Sequence, residues 1–187
     1  GSDPDLGRVQ EVKQLYGLDH LIAENFEQAS LTTVDAEALR TIKEALTQAK
    51  HTWGQLVANT KPDPAKLVAD LTAARGAAVK LAAQPIARVI EAIAQAASDF
   101  SKLGDPQREV MALEVASALL FAELGVDALP TVEAEYTERA QTIAARLRAA
   151  TIGDPLPDAG DWMSELARRA QDRLTMGTVV VETQGAL

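Results

Sequence analysis

Two imidazoles and no thiol are what this chain offers for nucleophilic or metal chemistry. Its 187 residues include His20 and His51 and no cysteine, which excludes disulfides, zinc ribbons and thiol catalysis. An exposed histidine on a helix can accept a phosphoryl group. That chemistry calls for a lysine about three residues on, to hold the phosphoryl oxygens, and a small residue about four on, to admit the partner. His20 is followed by Leu21-Ile22-Ala23-Glu24, so Ala23 replaces the cation and Glu24 sets an anion where it repels donor and product alike. His51 is followed by Thr52-Trp53-Gly54-Gln55; the glycine comes one residue early and no lysine follows. His20 and His51 are the two phosphorylation candidates, against the plainer reading of polar, partly exposed helix residues.

No metal or cofactor set emerges. A carboxylate-bridged bundle site needs Glu-x-x-His pairs, but Gly17 precedes His20 and Gln48 precedes His51 at that spacing. No glycine-rich phosphate loop and no serine elbow is present. Glu24 with Glu27, and Glu133 with Glu135 and Glu138, read as solvated helix faces, so no catalytic residue is assigned. Arg168, Arg169 and Arg173 form a basic stripe on an acidic chain. It reads either as favourable charge near a helix C-terminus or as a contact for an acidic partner. Trp53 and Trp162 fall on apolar stripes and read as core anchors.

Helices must position all of these. Lys+Arg total 18 against Asp+Glu 27, a net charge of −9, which argues against a nucleic-acid surface. Hydrophobic residues make up 47% but aromatics only 4%, and 35 residues are alanine. That composition suits thin, closely packed helices and suits a β-sandwich badly. No apolar run reaches the roughly 18 to 20 residues of a membrane span, and the start of the chain has no signal-peptide pattern. Gly1-Ser2 reads as a cloning remnant, and the whole as an excised piece of a longer chain. The absence of cysteine fits a reducing compartment, and the expected location is the cytoplasm.

Apolar spacing and turn residues predict an all-α fold, a helical bundle of about seven helices in one body or two packed helical subdomains. The first runs from Leu6 to Ala29, with a bend at Gly17-Leu18-Asp19. The second is capped by Thr32 or Thr33 and runs to Ala58, with Leu39, Ile42, Leu46, Ala49, Trp53, Leu56 and Val57 on its buried face. Asp63-Pro64 opens a third, to Ala83. Gln84-Pro85 opens a fourth, with the stripe Ile86, Val89, Ile90, Ile93, Ala97 and Phe100. Asp105-Pro106 caps and starts a fifth, apolar on several sides and therefore central, which stops at Gly125. A sixth runs from Pro130 or Thr131 to Ala150. After a loop, residues 151–161, the seventh runs from Asp161 to Val180, its end Thr178–Val181 reading as a fraying helix rather than a strand. The bundle is assigned to residues 3–150 and the last helix to 162–187, packed on the bundle and leading into a next module. Pro62-Pro64 and Gly153-Pro157 are the candidate seams.

Two segments carry a resemblance. They are Val110-Met111-Ala112-Leu113-Glu114-Val115-Ala116-Ser117-Ala118-Leu119-Leu120-Phe121 and Trp162-Met163-Ser164-Glu165-Leu166-Ala167-Arg168-Arg169-Ala170-Gln171-Asp172-Arg173, continuing to Val180. Together they resemble the N-terminal helical region of the chemosensory hybrid histidine kinases of the PilL/ChpA type, which govern type IV pilus twitching motility. They are also similar to the kinase-less FimL-like scaffold of that pathway. Leu15-Tyr16-Gly17-Leu18 is similar to the degenerate phosphotransfer-like modules found there, and the resemblance extends from Val9 to Leu187. It implies a non-catalytic, non-phosphorylated interaction and spacer domain with no cofactor, inserted neither in membrane nor on nucleic acid. The implied partners are proteins of the pilus chemosensory pathway and the adjacent phosphotransfer modules of the parent chain. A stand-alone scaffold and a divergent phosphotransfer domain are the rival readings.

Overall fold

A computed structural model describes residues 18–58, 64–130 and 133–185, with side chains described from 36 to 175 within those spans. Six α-helices are present among the described residues: α1 (Leu18–Val57), α2 (Pro64–Lys80), α3 (Gln84–Asp99), α4 (Asp105–Ala128), α5 (Ala134–Ile152) and α6 (Asp161–Gly185). A 3-10 turn, Phe100–Lys102, follows α3. The fold is all-α, and no strand occurs among the described residues. The chain divides into two compact units, Gly1–Glu37 and Ala38–Leu187. Of the first, the backbone is described from Leu18 onward. Both proline- and glycine-rich segments fall within the numbering of the second.

Two expected helices are one. The backbone is helical from Leu18 to Val57 with no break at Leu31-Thr32-Thr33, so neither threonine is a cap. The reason is energetic: threonine's β-branch costs a helix only a fraction of a kcal/mol, and no glycine or proline stands there. The expected stretch from Leu6 through the Gly17 bend, the Asp63 cap, and Thr131 and Val132 lie outside the described residues.

The larger unit is organised around α3 and α4. Helix α3 packs on α2, α4 and α5, and α4 packs on α3, α5 and α6. The α3 stripe is buried as its spacing requires, from Ile86 through Val89, Ile90, Ile93 and Ala97 to Phe100. Helix α4 buries Met111, Val115, Ala118, Leu119, Leu120, Phe121, Ala122 and Val126, on more than one side. Against these lie Ile42, Leu46, Ala49 and Trp53 of α1, Leu67 and Leu71 of α2, Ile143 and Leu147 of α5, and Met163 and Leu166 of α6. Val57 and Val110 are instead exposed.

Several helix ends differ from the sequence reading. Gly104, not Asp105, precedes the first turn of α4, and its carbonyl accepts from the Arg108 N–H at 2.9 Å. Asp105 therefore sits in the first turn, where its charge favours the helix dipole. Gly125 does not stop α4; it is buried inside the helix, which continues to Ala128. A β-carbon on Gly125 would come within 2.9 Å of Tyr136 Cε2 and closer still to the hydroxyl, so the position demands smallness, not a left-handed backbone. Helix α5 starts at Ala134 and runs past Ala150 to Ile152, closing on Gly153 at φ 79°. The run Thr178–Val181 lies in helix α6.

Helix α2 ends at Lys80, short of the expected Ala83, because Ala82 adopts φ 55°. Its neighbour Ala83 donates to the Ala78 carbonyl at 2.9 Å, closing the helix end. A left-handed alanine costs roughly 1–2 kcal/mol that glycine avoids. Ala82 is exposed, so no packing is lost on truncation. Ala82→Gly is expected to raise stability by about 0.5–1 kcal/mol after the entropy of the unfolded glycine is subtracted, read as a higher urea midpoint at unchanged m-value.

Candidate functional site

Two grooves flank α6. The first, with a volume of about 500 Å3, lies between α1, α4 and α6. Its floor is Ala116, Leu119 and Leu120 of α4, with Trp53 below one wall and Ala170 and Leu174 on the other. Trp53 is wedged there because its indole N–H donates to the Ala112 carbonyl at 3.2 Å and its ring meets Phe100 edge-on at 4.8 Å. At the rim stand Lys50, His51 and Arg173.

The second groove, about 390 Å3, lies between α4, α5 and α6. Phe121 and Tyr136 stack there at 4.2 Å, and Trp162 stands 6.2 Å from Phe121 with the Arg139 guanidinium 5.1 Å over its ring. The Tyr136 hydroxyl donates to the Phe121 carbonyl at 2.9 Å. Carboxylates and cations alternate around this groove, with Glu133, Glu135 and Glu165 against Arg139 and Arg169.

Burial raises the Tyr136 phenol above its ordinary value, since ionising it would strand a charge among aromatic rings. The sign follows: the folded chain holds the neutral form while the unfolded chain ionises from about pH 10. Tyr136 therefore contributes stability that is complete below about pH 10 and is lost as pH climbs toward the raised folded value. Tyr136→Phe is expected to cost about 1 kcal/mol at neutral pH through its hydrogen bond. It is also expected to flatten the alkaline loss of stability, read from urea midpoints across an alkaline series.

The sequence-derived candidates divide. His51 is exposed on α1, and the Gln55 amide nitrogen donates to its Nε2 at 3.0 Å. His20 falls in the backbone of α1, but its side chain lies outside the described residues. The arginine stripe is matched by the chain's own carboxylates. Arg168 pairs with Glu165 at 2.7 Å and Asp172 at 3.6 Å, and Arg169 shares Glu165 at 3.2 Å. The hydrogen bonds from Arg168, then its charge, hold the Glu165 carboxyl below its usual value. Arg173 reaches Glu123 of α4 at 3.0 Å, the same carboxylate that takes Lys50 of α1 at 2.5 Å. The three arginines are thus not one surface: Arg169 lines the second groove, Arg173 the first, and Arg168 neither.

The sequence reading missed two polar features. Glu114 and Arg146 form a two-pronged ion pair at 2.7 and 3.0 Å, nearly enclosed, and Arg146 also donates to the Pro157 carbonyl at 2.6 Å. The signal was present: one carboxylate inside the otherwise apolar run Val110–Phe121 has to be paired. Glu123, bridging Lys50 and Arg173 across three helices, left no comparable mark. Among the described residues no group of three or more metal-ligating side chains converges, and no described helix is long and apolar enough to cross a membrane. No protein-family model, curated protein or solved structure matches this chain.

Proposed function

We propose that this chain is a non-catalytic, protein-binding and spacer module of a pilus-linked chemosensory histidine kinase, acting in the cytoplasm. One observation carries the reading. The two segments that resemble that family lie on α4 and α6, which pack on each other and together wall both grooves. The resemblance and both grooves thus fall on the same pair of helices. The partners under this reading are the adjacent phosphotransfer modules and other proteins of the pathway; a stand-alone scaffold would use the same surfaces. Arg169 and Arg173 fit this role because carboxylates of the chain hold their guanidinium groups in place while their apolar stems shape groove walls.

A divergent phosphotransfer domain is the second reading, favoured by one arrangement: His51 is exposed beside Gly54, in a groove that Lys50 and Arg173 also line. Against it, Nε2 is occupied by Gln55 and no lysine follows His51 at the spacing that would hold the phosphoryl oxygens. Incubation with the cognate kinase core and labelled ATP separates the two. No acid-labile label on the chain, with retention of the adjacent modules on an affinity column, is the expected result. Label that disappears in His51→Gln or His20→Gln overturns the non-catalytic reading.

A further inference from the structure

Gly54 lies inside α1, where glycine is the least favourable residue short of proline. A β-carbon placed on it meets nothing within 4 Å. The residue is nevertheless half-buried, so the empty space is the hollow of the first groove. Among the described residues no neighbour needs the missing side chain. Gly125 is the opposite case, filled by Tyr136. The bare backbone at Gly54 keeps the groove open at the turn of α1 beside His51.

The charge around this hollow is out of keeping with the molecule. The chain carries a net charge of −9, yet among the described residues the groove is lined by the cations Lys50 and Arg173 and by no carboxylate. Glu123 lines the adjoining hollow rather than this groove and gives one oxygen to each cation. Lysine has three donors and arginine five, so one shared carboxylate does not exhaust them. Lys50, Arg173 and Glu123 together carry one net positive charge. The second groove, with carboxylates and cations interleaved, has no such bias.

The mode of recognition follows by elimination. Adding a strand needs a free sheet edge, and no strand occurs among the described residues. Proline-rich segments need an exposed aromatic platform, and Trp53 is only 1% exposed. What remains is a trough between two helices floored by a third, with small and aliphatic side chains at helical spacing: Ala116, Leu119 and Leu120 below, Val57 and Leu174 at the sides. That is the shape that receives the apolar face of another helix. We propose that the α1/α4/α6 groove docks an amphipathic helix of a partner protein, its apolar face over Gly54 and Leu120 and its acidic flank against Lys50 and Arg173. This rests on the protein-binding reading above and adds the occupant's chemistry.

The test uses the full chain carrying Trp162→Phe, which leaves Trp53 as its reporter tryptophan. The probe is a synthetic helical peptide with leucines at i, i+3 and i+7 and glutamates flanking them, compared with the same peptide carrying lysines. The acidic peptide is expected to shift Trp53 emission saturably and the basic one to bind at least about tenfold more weakly. Gly54→Leu fills the hollow and improves the helix. It is expected to weaken binding at least about tenfold while leaving the thermal midpoint equal or higher, so misfolding does not imitate the effect. Lys50→Gln with Arg173→Gln is expected to abolish the preference for the acidic peptide. Equal binding of both peptides, no binding of either, or unchanged binding in Gly54→Leu overturns the assignment. If Gly54→Leu still retains the adjacent kinase modules on the column, the protein-binding reading stands and this groove is not its site.

Discussion

Arg146→Ala is expected to lower the stability of this chain by about 3–5 kcal/mol, a loss of about 6–20 °C in thermal midpoint. The guanidinium grips both oxygens of Glu114 on α4, at 2.7 and 3.0 Å, and holds the Pro157 carbonyl of the α5–α6 connection at 2.6 Å. Side-chain exposure is 15% for the arginine and 6% for the glutamate. Truncating Arg146 leaves a carboxylate enclosed beside the core without a counter-charge. Truncating Glu114 is expected to cost less, because Arg146 keeps its bond to Pro157 and a flexible stem that can carry the charge to solvent. Glu114→Leu with Arg146→Met removes both charges at similar volume and is expected to recover most of the loss. Urea denaturation of the two alanine variants and the apolar pair checks this. Equal losses in all three would mean that packing, not charge, sets the cost.

The ion pair also marks the boundary of what the sequence discloses. The core stripes were legible because burial imposes a period: Ile86, Val89 or Ile90, Ile93, Ala97 and Phe100 recur every three or four residues and all turn inward. The central place of α4 was legible because a helix apolar on several sides has nowhere else to go. The local partners of Arg168 and Arg169 stand three and four residues away, so a helix alone brings them together. What was hidden depends on residues distant in the chain. Gly125 is written with the same letter whether the helix ends there or a tyrosine ring from α5 lies across it. Glu114 and Arg146 are 32 positions apart, and Glu123 meets Arg173 at a separation of 50. The grooves share this property. Each is a space between three helices, so no one helix's pattern foretells it; of the phosphorylation and partner-contact candidates with described side chains, His51 and Arg173 line the first groove and Arg169 the second.

Trp53→Ala is expected to cost about 3–5 kcal/mol as well, but by a different route. At 1% exposure the indole is the largest enclosed side chain of α1, and it contacts two other elements at once. Its edge meets Phe100 at the end of α3, and its N–H is bonded to Ala112 in α4. Alanine would leave a cavity between three helices that their backbones cannot jointly collapse, since α3 and α4 are fixed by their own packing. Trp53→Phe separates the contributions. It retains most of the apolar volume and forfeits the hydrogen bond, at an expected cost of about 1–2 kcal/mol. Phe100→Leu in the Trp53→Ala background is expected to cost less than it does alone, because the ring contact is already gone. Trp162→Ala, removing a half-buried ring at the mouth of the second groove, is expected to fall well below Trp53→Ala in the same melts. If it were equal, the first groove would have no privileged anchor, and the floor beneath Gly54 would be as yielding as the rest of the surface. A rigid floor is what allows an open trough to persist in a marginally stable bundle, because an unfilled hollow lined by mobile side chains would close on itself.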